Sequence, residues 1–154
     1  MKKGYVCIVM ALLMLAGLGG CGKKAVDVDA RGLADSLKND IAYKDELAPI
    51  DLETAQMFYN FGDANITEAV FYESSGATAE EIVVIKCAGD ADAGMAEDSL
   101  KKRVEEQKES YTDYVPAELE KLNAAVIFRE GNCAVLSVSD EPDKAREIIA
   151  KYFK

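Results

Sequence analysis

Glu81-Ile82-Val83-Val84-Ile85-Lys86-Cys87 decides the fold. Branched residues crowd its centre, which suits a pleated strand. Both alternations are apolar, Val83, Ile85 and Cys87 on one and Ile82 and Val84 on the other. A strand of that kind needs both faces of its sheet covered. Its neighbours must therefore supply helices on two sides, or a partner must cover one.

Working outward, Ile66 to Glu73 reads as a preceding strand, joined through the turn residues Ser74-Ser75-Gly76-Ala77-Thr78. After the central strand, Gly89-Asp90-Ala91-Asp92 breaks the pairing and supplies a helix cap. A long amphipathic helix follows from about Ala93 to Val115. Leu100, Arg103, Val104, Gln107, Tyr111, Tyr114 and Val115 share its packed face, and Lys101, Lys102, Glu105 and Glu106 lie on the other. Pro116 interrupts it, and a further helical turn reaches about Asn123. Ala125–Arg129 and Cys133–Val138 read as two strands around a Gly131-Asn132 hairpin turn, since Gly tolerates positive φ at the first turn position. Ser139 or Asp140 then caps a last helix with Pro142 in its first turn and Ala145, Ile148, Ile149, Tyr152 and Phe153 on one face.

Upstream, Asp29 caps a helix whose Ala30, Leu33, Ala34, Leu37 and Ile41 recur at helical spacing. Pro49-Ile50 ends a connection, and Asp51 caps a shorter helix to about Tyr59. The expected architecture is α+β: a mostly antiparallel four-stranded sheet in ββαββα order with packed helices, preceded by an N-terminal helical segment. The ββα unit is used twice, a weak internal resemblance.

The extreme N-terminus reads differently. Met1-Lys2-Lys3 is followed by an apolar run from Tyr5 to Leu18 and by Leu18-Gly19-Gly20-Cys21. That order reads as a secretion signal and its end resembles the bacterial lipobox: small residues let a peptidase close around the backbone, and the cysteine sulfur accepts the diacylglycerol. Residues 1–20 are expected to be removed, Cys21 lipidated, residues 21–29 to form a short tether and residues 30–154 a single domain. The expected location is the outer face of the cell membrane, with the lipid on Cys21 as the membrane contact. Two acyl chains or more anchor stably where one does not.

The sequence has 154 residues, 28 acidic and 18 basic, with no histidine and a net charge of −10. Loss of Lys2 and Lys3 brings the charge to −12. Such a surface repels nucleic acid and anionic headgroups, so no nucleic-acid partner is expected. The want of histidine removes the commonest general base and metal ligand, and no cofactor or metal is expected. Nor does a nucleophile stand in a recognisable setting, so an enzyme is not the expected reading.

Several groups invite a functional reading beside a plainer one. Arg103, Gln107, Tyr111 and Tyr114 form the leading candidate binding rim; the plainer reading is polar tips snorkelling around a core. Export permits a disulfide between Cys87 and Cys133, and two small buried hydrophobes are the alternative. Gly89–Gly94 begins like a calcium loop but has Lys101 where the last acidic ligand belongs. Ser74-Ser75-Gly76 with Thr78 could cradle an anion or simply turn a hairpin. Glu80 and Glu81 point to opposite faces of a strand, which reads as a solvated strand start.

Gly76-Ala77-Thr78-Ala79-Glu80-Glu81-Ile82-Val83-Val84, Arg103…Gln107…Tyr111…Tyr114-Val115-Pro116, and Gly131-Asn132 with the following strand and Ser139-Asp140 resemble the short lipoproteins of Gram-positive bacteria in domain-of-unknown-function family 4358. The resemblance spans roughly residues 30–153. It implies export and carries neither a known activity nor catalytic residues. An aromatic is usual in that family where Cys133 stands, which implies a differently packed hairpin here.

The function expected from all this is a membrane-anchored binding or adaptor module whose partner is a membrane protein or an envelope component. The alternatives are a small-solute-binding lipoprotein and, further off, a carboxylate-based hydrolase, which would need two carboxylates facing each other in a cleft.

Overall fold

The computed structural model describes residues 26–154, so the signal segment and Cys21 lie outside the described residues. In chain order the elements are α1 (Ala30–Asp40), β1 (Ala48–Ile50), α2 (Leu52–Ala55), β2 (Ile66–Glu73), β3 (Glu81–Cys87), α3 (Asp90–Tyr114), a 3₁₀ turn (Pro116–Glu118), α4 (Leu119–Asn123), β4 (Val126–Glu130), β5 (Cys133–Val138) and α5 (Pro142–Tyr152). The sheet is antiparallel throughout, in the order β1-β2-β3-β5-β4.

The sheet has five strands rather than the expected four. The extra one, β1, is three residues long and pairs Pro49 with Tyr72 at the edge of β2. A proline survives there because an edge strand can leave one N–H side unpaired. β2, β3 and β5 keep the bounds read from the sequence.

Both alternations of β3 are buried, as its composition demands. Ile82 and Val84 join Val70, Tyr72, Cys133 and Val135 beneath α1 and α5. Val83, Ile85 and Cys87 join Phe71, Ala134, Leu136 and Val138 beneath α3. The result is a helix–sheet–helix sandwich in which the chain covers both faces itself. Leu33, Leu37, Phe71, Ile82, Ile85, Leu100 and Leu136 are among the fully buried side chains, each worth about 1.5–3 kcal/mol of burial. The two ββα units do not match in layer, because α3 packs on one face and α5 on the other.

Local capping follows sequence at two sites and departs from it at two. Asp29 accepts from the Gly32 amide at 2.9 Å and Asp51 from the Thr54 amide at 2.7 Å. The helix after Asp51 ends at Ala55 rather than near Tyr59, because Tyr59 and Phe61 leave the axis to stack on each other and against Phe71. Neither α3 nor α5 has a side-chain cap: Gly89 and Glu141 stand at those positions. Ser139 instead accepts from the Glu141 amide at 3.2 Å.

The segment expected to be a free tether is partly packed. Val28 is buried with α1, and the Val26 amide donates to Asn132 Oδ1 at 2.9 Å. Asn132 in turn donates to the Cys87 carbonyl at 3.0 Å. The chain thus enters the fold beside the β4–β5 hairpin and the C-terminal end of β3.

Candidate functional site

The opposite end of β3 carries the most unusual chemistry. Glu73 and Glu81 are register partners across β2 and β3. Glu73 shares the alternation of Phe71, and Glu81 that of Val83, so both face α3. Like charges directly opposite on a sheet are destabilising, and these two are walled in as well: Glu81 is wholly buried and the Glu73 side chain is 14% exposed.

α3 supplies the answering groups. Arg103 and Gln107 are four residues apart and so stand one above the other on a helix. Arg103 Nε and Nη2 lie 3.3 and 3.2 Å from Glu81 Oε2, and Gln107 Nε2 donates to the same oxygen at 3.0 Å. Arg103 Nη2 is also 3.5 Å from Glu73 Oε2, and the Tyr59 hydroxyl donates to Glu73 Oε1 at 2.9 Å. The guanidinium lies over the rings of Phe58 and Tyr59 at 5.3 and 5.5 Å, within cation–π range.

One cation therefore serves two carboxyls. Burial, then the charge of Glu81, pushes the Glu73 carboxyl up to about 8, against the pull of Arg103 and Tyr59. Glu73 thus holds a proton at neutral pH. Glu81 Oε1 is buried without a hydrogen-bond partner, the kind of acceptor a protonated carboxyl opposite it can satisfy. Burial, then the neighbouring carboxylates, raises the Tyr59 hydroxyl well above its ordinary value, so it remains a donor. Burial works against the charge on Arg103, but Glu81, Tyr59 and Glu73 outweigh it and raise its pKa.

A groove of about 200 Å³ opens beside this cluster, between the Gln56–Asn60 segment and Ser99, Lys102, Arg103 and Glu106 of α3. Met57 and Phe58 stand at it, 80% and 44% exposed. Ser99 also lines it, and its hydroxyl is buried without a partner.

Of the four α3 residues singled out in the sequence, Arg103 and Gln107 come together on Glu81. Tyr111 turns inward as well, its hydroxyl between the Thr78 and Gly76 carbonyls at 2.5 and 3.0 Å. Tyr114 does not join them; it is 69% exposed, with its ring 6.1 Å from that of Tyr111. Glu73, Tyr59, Met57 and Phe58 were missed, and Glu81, expected at a solvated strand start, is buried instead. The signal for Glu81 was available, since an arginine on a packed helix face requires a buried acceptor.

Glu80 corrects the expectation of a solvated strand start too, because it is fully buried on the other side of the strand. It accepts from Lys121 Nζ at 2.9 Å, from the amides of Lys44 and Asp45, and from the Thr78 hydroxyl. Lys121 also reaches Glu118 at 3.0 Å, whose carboxylate receives the Ala79 amide at 2.9 Å. Burial alone would raise the Glu80 carboxyl, but Lys121 and the two amides hold it below its ordinary value.

The remaining candidates are occupied by structure. Asp90 binds Arg129 at 2.5 Å and Asp92 accepts from the Asn65 amide at 3.0 Å, so the calcium-like segment is engaged elsewhere. In the Ser74–Thr78 turn, Ser75 gives its amide and hydroxyl to Asp45, and the Ser74 amide bonds the Glu80 carbonyl. Cys87 and Cys133 are both free and buried in opposite layers, so the disulfide is not formed. Burial pushes their thiols up to about 11 and about 12. Among the described residues no three acidic, cysteine or histidine side chains are placed to hold a metal ion, and no helix is long and apolar enough to cross a membrane.

A family model, Domain of unknown function (DUF4358), matches residues 39–139, and the chain belongs to that family. No curated protein and no solved structure matches the chain.

Proposed function

We propose that this member of the DUF4358 family is a lipid-anchored binding or adaptor module on the outer face of the cell membrane, tethered through Cys21. Its partner, a membrane protein or an envelope component, would seat on the groove beside Arg103. The observation that carries the reading is the pair Met57 and Phe58, exposed beside a guanidinium whose charge Glu81 already neutralises. Such a floor needs little reorganisation when a partner covers it, and preorganisation lowers the cost of binding.

The lipobox-like Leu18-Gly19-Gly20-Cys21 supports the anchor. With Val26 held by Asn132, the described chain enters the domain beside the β4–β5 hairpin. β3 is about 20 Å long, and Arg103 binds the end away from that entry point. An anchored domain would therefore turn the groove outward from the membrane.

Two observations weigh against the alternatives. A groove of about 200 Å³ is smaller than the roughly 300–1,000 Å³ of small-molecule sites, which disfavours this groove as the seat of a solute. Glu73 and Glu81 do face each other, as a carboxylate hydrolase requires, but Arg103 and Tyr59 close them off and leave no room for a substrate.

The test is a photo-crosslinking residue at Met57 in intact cells, beside the same residue at Glu109 on the solvent face of α3, each with and without Cys21→Ala. One dominant adduct from position 57, lost in Cys21→Ala, is the expected result. Equal labelling from positions 57 and 109 would remove the groove from the reading, and an adduct indifferent to Cys21→Ala would remove the anchor.

A further inference from the structure

The two edges of the sheet are built differently, and the difference lies away from the Arg103 groove. β1 closes one edge with three residues and a central Pro49. Short strands and proline are the usual protection of an edge against further pairing. β4 closes the other edge with five residues, no proline and no irregularity in its register with β5.

The hydrogen-bond phase of β4 can be read from β5. The Cys87 amide donates to the Asn132 carbonyl at 2.8 Å, so residue 132 and the alternate residues Ala134, Leu136 and Val138 turn their backbone toward β3. Cys133, Val135 and Ser137 then turn theirs toward β4 and bond their register partners Glu130, Phe128 and Val126. Ile127 and Arg129 are left with N–H and C=O groups directed outward, and no other strand of the sheet receives them.

Each face beside this edge is hollowed. On the α3 side, Ile127 borders a depression of about 350 Å³ with Val104, Lys108, Leu122 and Ala125. On the α5 side, Val126 and Phe128 border one of about 270 Å³ with Ile149 and Ala150. Arg129, the cation of the strand, is drawn out of the way by Glu97 and Asp90 on α3. Glu130, the acid of the strand, is exposed and has no ion-pair partner among the described residues.

The geometry points to β4 as a strand-addition site for an extended segment of another protein, with apolar side chains alternating into the two depressions and a basic residue opposite Glu130. Main-chain bonds to Ile127 and Arg129 give the affinity, and the depressions give the selection. A second copy is the poorer occupant, because two chains of net charge −10 repel whereas a basic segment is attracted.

Full-length protein in detergent micelles, titrated with a capped octapeptide of four consecutive valines flanked by lysines, whose valines reach both faces of the sheet, tests this through amide exchange followed by NMR. Exchange at Ile127 and Arg129 should slow at least tenfold, with the already bonded Phe128 unchanged. Ile127→Pro deletes an outward donor without touching the ladder to β5, and should weaken binding at least tenfold. A peptide N-methylated at the residues facing β4 should not bind, and that outcome holds whether or not the proline variant folds. Unslowed exchange, full affinity for the methylated peptide, or equal affinity at low salt for the same octapeptide with glutamate in place of lysine would each overturn the proposal. So would a peptide-free dimer that Ile127→Pro dissolves, which would assign the edge to a second copy.

Discussion

Glu80 and Glu81 are adjacent in the chain and both lose all contact with water, yet they enter opposite kinds of site. Glu80 is saturated: an ammonium, two backbone amides and a hydroxyl converge on it, and Glu118 shares the lysine. Glu81 keeps one oxygen without a donor, shares its arginine with Glu73, and lies beside an open groove. A fully satisfied buried network rigidifies a fold. A network with an acid too many and an unpaired acceptor holds a proton on Glu73 instead. The difference marks the first as a clamp between the Lys44–Asp45 loop, β3 and α4, and the second as the candidate site.

Breaking the clamp should have the largest effect. Lys121→Met leaves two carboxylates in a dry environment, and removal of one partner from a buried ion pair costs about 3–5 kcal/mol. Urea unfolding at neutral pH would measure it. A loss under 1 kcal/mol would show that Glu80 and Glu118 are held by their amides alone.

The corresponding change at the site should be milder. In Arg103→Met, Glu81 loses its cation but keeps the Gln107 amide, so the cost should be about 2 kcal/mol. A second arm decides the role of the residue. The Met57 crosslink should fall in a variant that urea shows to be folded, and an unchanged crosslink would mean that Arg103 only supports the core.

A pH series sharpens the contrast most, because the two clusters have opposite pH dependence. Glu80 has a lowered pKa, so its contribution is present above the ordinary glutamate range and is lost as pH falls through the folded value. Glu73 has a raised pKa: between about 4.5 and 8 the unfolded chain has released a proton the folded chain keeps. Stability from this group therefore declines with rising pH across that window and levels off above it. Glu73→Gln should abolish the decline and be more stable than the wild type at pH 8.5, where the wild type carries most of the penalty. Parallel stability–pH curves for the two proteins would show that Glu73 is ionised at neutral pH.

Much of this fold was legible. Ile82–Ile85 announced a strand covered on both faces, and Arg103, Gln107 and Tyr111 were placed together on the packed face of a helix by spacing alone. β1 was not legible, because three residues with a central proline carry no strand signature and pair only because β2 is already in place. Nor was the burial of Glu80 and Glu81. The groups that make it tolerable lie 41 residues away at Lys121 and 22 residues away at Arg103.

What the sequence by itself determined is periodic or local: strands β2 to β5 and helices α1, α3 and α5, the Asp29 and Asp51 caps, the Gly131 turn and the acidic balance. These follow from side-chain alternation, from φ preference and from hydrogen bonds that close within a few residues. Tertiary structure alone decided which carboxylates lie in water and which in the core, which thiols share a layer, and which sheet edge remains open. Each of those depends on the solvent a group has lost and on the distant partner it has gained, and neither is a property of its neighbours in the chain.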